Sequence, residues 1–153
     1  MKTLLLIVLL FTFSSAGSWE RAIKFVLAHE AGYCHDGGWE SNYGLCSKWY
    51  PKLSMKTLTQ DSATAIYYRD YWCRMNCEIQ SDSDFALLIF DTAVLFGQPT
   101  AEMIFKKCLY DKDSFMYLRI DMIESIVQQH PEKIRYLATW LKRTYDLCKA
   151  VKP

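Results

Sequence analysis

The sequence predicts a mainly α protein, a helical bundle with one small loop-rich or β-hairpin flap, stapled by disulfides. Three observations carry that expectation. Apolar residues recur at helical spacing over most of the chain. Glycines and turn-forming residues gather in one stretch, from Gly32 to Pro51. Six cysteines follow a segment with the pattern of a secretory signal.

That segment covers residues 1–16. Lys2 supplies the positive start, Leu4 to Phe13 the apolar run, and Ser14-Ser15-Ala16 a small-residue cleavage site. The apolar run is shorter than the roughly 17–25 residues a spanning helix needs. A secreted or periplasmic protein is expected, with no stable membrane insertion once the signal is cleaved, and a slowly released signal anchor stays open. Removing the segment takes one lysine and no acid, which leaves the remainder formally neutral. Acidic and basic residues are interspersed rather than run together, so no nucleic-acid partner is expected. Residues 17–153 are one domain's worth of chain, read as a monomer.

The first helix should run from about Trp19 to Glu30, with Ile23, Val26 and Leu27 on one face. The flap follows, through Gly37, Gly38 and Gly44. Thr59 is a good N-cap for a second helix through Tyr67, Tyr68, Tyr71 and Trp72. Asp84 can cap a third, Phe85 to Phe96, ended by Gly97 and apolar nearly all round except for Asp91 and Thr92. Thr100 is read as the cap of a fourth helix, to about Leu109. Ser114 should open a fifth, to about Gln129, and Pro131 a sixth, to about Cys148.

The cysteines are Cys34, Cys46, Cys73, Cys77, Cys108 and Cys148, and sequence leaves their pairing open. A Cys34–Cys46 bridge would pin the flap, and a Cys108–Cys148 bridge would staple the C-terminal half. No metal is expected. His29-Glu30 lacks the second histidine of a zincin helix, and no paired Cys-x-x-Cys knuckle is present. No organic cofactor is implied either.

Glu30 continues the apolar face of the first helix, so its carboxylate aims inward at the negative end of the helix dipole. Burial and dipole both favour the protonated form, as a general acid requires. Within fifteen residues lie another carboxylate, a glycine pair and a cluster of hydroxyl, amide and aromatic groups. Sugars are bound this way, with rings stacked on aromatic faces and hydroxyls held by short polar groups. Glycoside hydrolysis uses an acid and usually a second carboxylate. Glu30 is the candidate acid, Asp36 the candidate second group with Glu40 behind it, and Ser41 could hold the water. Tyr33, Trp39, Glu40, Asn42 and Tyr43 are candidate sugar contacts. Asp91 is a candidate cleft carboxylate, although a lone acid on an apolar helix more often pairs internally.

The run His29-Glu30-Ala31-Gly32-Tyr33, the Gly37-Gly38 pair, Ser41-Asn42-Tyr43-Gly44-Leu45 and Tyr50-Pro51 together resemble glycoside hydrolase family 108. Leu58-Thr59, Ala63, Ile66-Tyr67, Tyr71-Trp72 and the stretch Phe90 to Gly97 continue the likeness, and Arg119 and Trp140-Leu141-Lys142-Arg143 echo the closing helices. The resemblance implies a lysozyme-like N-acetylmuramidase acting on peptidoglycan glycan strands, with Glu30 at the head of the motif. It also implies a catalytic half over residues 17–80 and a helical, peptidoglycan-binding-like half over 81–153. Three positions depart from the family pattern. Ala31 replaces a glycine, Ser41 a threonine, and Leu95 an asparagine. A lytic transglycosylase, or a wall-binding protein that has lost the chemistry, stays open on the same scaffold.

Overall fold

The computed structural model describes residues 12–151, without the side chains of residues 12–17 and Asp36. The start of the signal segment, residues 1–11, lies outside the described residues. The chain divides into two compact units, residues 1–78 and 79–153. No described helix is long and apolar enough to cross a membrane.

The first unit opens with α1, Thr12–His29, so the Ser14–Ala16 segment is helical. Ala22, Ile23 and Val26 form its buried face. Three short antiparallel strands follow in the order β1-β2-β3: β1 Cys34–Asp36, β2 Trp39–Asn42 and β3 Leu45–Cys46. Each turn has two residues with positive φ, first Gly37-Gly38 and then Tyr43-Gly44. Such turns match the right-handed twist of the strands they join.

Thr59 caps α2, Gln60–Tyr67, by accepting a hydrogen bond from the Ser62 amide. The expected second helix then changes pitch. Tyr68–Trp72 forms a π-helical turn, which offsets the side chains relative to a continuous α-helix. A 3-10 turn at Cys77–Ile79 ends the unit.

The second unit is helical throughout. In α3, Ser83–Phe96, every residue from Phe85 to Ala93 is buried. Its cap is Asp82, which accepts from the Asp84 amide, rather than Asp84 itself. The Asp84 carboxylate instead takes Lys112 at 2.7 Å. Gly97 stops α3 as expected, with φ +90. It also starts α4, Gln98–Lys107, so that helix begins ahead of Thr100. Pro99 explains the shift, because its fixed φ suits a first turn and its missing N–H has no partner to lose there. In α5, Lys112–Gln129, the cap is Asp111, and the Ser114 amide donates to it at 2.7 Å. Pro131–Tyr136 is a 3-10 segment that leads into α6, Leu137–Ala150.

Asp91 pairs internally, which corrects its alternative reading as a cleft carboxylate that meets substrate. Its side chain has no exposed surface. Arg119 Nη2 lies 2.7 Å from one carboxylate oxygen, and Arg143 Nη2 2.8 Å from the other. Arg119 also donates to Thr92 Oγ1 and Thr144 Oγ1, and its guanidinium covers the Phe96 ring. Burial alone would raise the Asp91 pKa, but the two guanidiniums outweigh it and hold the carboxyl below its ordinary range.

The disulfide expectation is not met by the pairings named above. All six cysteines are free thiols in the structure. For Cys34 and Cys46 the register gives the reason, since both stand opposite Ser41, one on each side of β2. Two strand spacings, about 10 Å, separate them. A disulfide needs Cα atoms within about 7 Å.

Candidate functional site

Glu30 follows the last residue of α1 and is half-buried. Its carboxylate rests against the second turn of the flap. A Cβ on Gly44 would collide with both the Glu30 carboxyl and the Tyr67 hydroxyl. Three parts of the unit therefore converge here: the end of α1, the Tyr43-Gly44 turn and the last residue of α2. Tyr67 is buried, and its hydroxyl donates to the Tyr43 carbonyl at 2.8 Å. That bond fixes the turn to the helix. With its hydrogen so committed, the Tyr67 oxygen can serve Glu30 only as an acceptor.

A second set of groups leads away from Glu30. Tyr71 lies one turn beyond Tyr67, with ring centroids 5.5 Å apart. Burial raises the Tyr71 pKa, and the charges of Asp70 and Glu30 add to that effect. Tyr50 hydrogen-bonds with Tyr71 and donates to Asp70 Oδ2 at 3.1 Å. Burial, with Tyr71 and Asp70 beside it, pushes the Tyr50 hydroxyl well above its ordinary pKa. Arg69 grips Asp70 through two bonds of 2.7 Å. Those bonds hold the Asp70 carboxyl below the usual carboxylate range. Tyr50, Tyr67, Asp70 and Tyr71 were not singled out as site residues from sequence. The aromatic run from Tyr67 to Trp72 was the available signal, but it reads equally well as packing.

The remaining candidates spread over the flap. Tyr33 and Trp39 are 43% and 48% exposed, so their rings are free to meet a ligand. The Tyr33 hydroxyl donates to Glu40 at 2.7 Å. Lys56 approaches the same carboxylate at 3.8 Å. Glu40 is thereby tied into the flap rather than aimed at Glu30. Ser41 Oγ shares a hydrogen bond with Cys34 Sγ at 2.9 Å. Asn42 is buried, and its amide donates to the Met55 carbonyl at 2.9 Å. Asn42 therefore fixes the loop after the flap, a correction to its reading as a sugar contact. Tyr43 contributes its backbone through the bond to Tyr67 and is half-buried. Asp36 pairs with Trp39 across the first turn. Among the described residues, no three histidine, cysteine or acidic side chains gather as metal ligands do.

A half-buried carboxyl and a tyrosine hydroxyl thus flank the same turn of a flap that carries exposed aromatic rings, groups of the kind acid-base glycosidases use. The comparison with protein families agrees. Residues 23–97 match the model of Glycosyl hydrolase 108, a span that holds Glu30, the flap, α2 and α3. Through that segment the chain belongs to glycoside hydrolase family 108. No curated protein and no solved structure matches the chain. Membership supports a hydrolase that acts on a glycan such as peptidoglycan.

Proposed function

We propose that the protein is a muramidase that hydrolyses the β-1,4 bond between N-acetylmuramic acid and N-acetylglucosamine in peptidoglycan. The observation that carries this reading is the placement of Glu30 against Gly44 and Tyr67, inside the family-matched segment. Glu30 gives its proton to the leaving glycosidic oxygen. Water adds to the anomeric carbon, and its proton passes to a second carboxylate. Asp36 is the proposed second group, with Ser41 assisting. Tyr33 and Trp39 offer rings for the flanking sugars. The signal-like N-terminus and the six cysteines support action outside the cytoplasm, in a secreted or periplasmic monomer.

The test is incubation of the protein, and of its Glu30→Gln variant, with purified sacculi, followed by mass spectrometry of the soluble fragments. Reducing-end muropeptides from the wild type alone are expected. Anhydro products would replace hydrolysis with transglycosylation. Equal release by the Glu30→Gln variant would remove Glu30 from the mechanism. Binding of sacculi without release would make the protein a wall-recognition module.

A further inference from the structure

The outward face of α2 is cut differently from its inward face. Ala63, Ile66 and Tyr67 are buried, whereas Asp61, Thr64 and Ala65 lie on the more exposed side of α2, and Tyr68 and Trp72 of the π-helical turn that follows line the same hollow. Thr64 and Ala65 are small and leave a hollow between the larger side chains. Trp19 of α1 closes one side of it, edge-on to Tyr68 at 5.0 Å and to Trp72 at 5.4 Å. The result is a cavity of about 630 Å³ within the first unit. That volume falls in the ordinary range for small-ligand pockets.

The lining has a definite chemistry. Trp72, 1% exposed, is the most deeply placed of three aromatic rings. Asp61 and Glu78 supply two carboxylates, and among the described residues no lysine, arginine or histidine lines the cavity. Among the described residues neither acid joins an ion pair. Aromatic faces and uncompensated carboxylates together select a cation carried on an apolar stem. The cavity also stands apart from the acid. Trp19 lies ten residues before the end of α1 at His29, a rise of about 15 Å from the helix end that Glu30 follows. A group bound here would be a side branch of the substrate rather than the sugar at the cleaved bond.

We propose that this cavity binds the side-chain ammonium group of a wall peptide attached to the glycan. The alkyl stem lies along Trp19, Tyr68 and Trp72, and the ammonium group meets Asp61 and Glu78. The inference rests on the peptidoglycan reading and names a second part of the same substrate.

The test titrates the protein with a soluble wall peptide that carries a free side-chain amine, and with the same peptide acetylated at that amine. Indole signals of Trp19 and Trp72 are followed by NMR. Saturable shifts with the free amine, and about tenfold weaker binding after acetylation, are expected. The Asp61→Asn, Glu78→Gln double variant should weaken binding to a similar extent while its circular dichroism, and its cleavage of peptide-free glycan strands, stay unchanged. Equal affinity for the two peptides, binding unaffected by the double variant, or no shift at millimolar peptide would overturn the proposal. Cleavage of sacculi without peptide binding defeats this inference alone. Peptide binding without cleavage defeats the muramidase reading instead.

Discussion

At Gly44 the backbone runs at φ +78, and the position of a Cβ is already taken by Glu30 and Tyr67. A Gly44→Ala variant therefore meets two obstacles, left-handed strain and a collision with the carboxyl. The strain costs about 1–2 kcal/mol. The collision moves Glu30, and a displacement near 1 Å can lower a rate about 100-fold. Fragment release should fall by about that factor while the thermal midpoint drops only modestly. Tyr67→Phe separates the hydroxyl from the ring. It removes the bond to the Tyr43 carbonyl and costs about 1 kcal/mol of stability. It should lower kcat more than it changes KM, as steady-state kinetics on soluble glycan would show. The inward-facing position of Glu30 could be read from sequence because helical spacing and the turn after it are local signals. Its partners could not be. Gly44 and Tyr67 lie fourteen and 37 residues further on, and no local pattern joins them.

The elements show the same division between local and distant causes. Thr59 caps α2 and Gly97 ends α3 as their residue types predict. Thr59→Ala should cost about 1 kcal/mol, read as a lower denaturant midpoint. The caps at Asp82 and Asp111 differ from the expected ones by two or three positions, because several polar residues in a row compete for one role. The flap register could not be read in advance either, and that register keeps Cys34 and Cys46 apart. The acid amid the apolar run of α3 did suggest internal pairing, but Arg119 and Arg143 sit on α5 and α6. Removing the carboxylate leaves two guanidiniums buried, so Asp91→Ala should lose about 3–5 kcal/mol. Acid should act through the same group. Its folded pKa lies below the unfolded value of about 3.9. Its contribution is thus complete above about pH 4 and is lost as the pH falls through the lowered folded value. Acid unfolding followed by circular dichroism should show this sensitivity in the wild type.

For the whole molecule, the two units each carry their own buried residues, so residues 79–153 should fold when expressed alone. A cooperative helical melt is expected of that fragment, and a featureless one would show that it depends on residues 1–78. The mainly α class and the small flap followed from composition and periodicity. The division into units did not, because no linker-like stretch marks the chain near Ile79; two halves meeting at residues 80 and 81 were implied by the family resemblance alone.

The ion cluster in the second unit also constrains how that unit can change. Substituting Asp91 strands two guanidiniums in a dry interior, and substituting either arginine takes from the carboxylate one of its two charged partners. Replacing all three together with apolar residues of similar volume strands none, and exchanges of that kind are often neutral or stabilising. The two well-packed solutions are thus separated by single variants that are each worse than either end. A lineage moving by one substitution at a time would keep the trio intact, whatever happens to the surface around it.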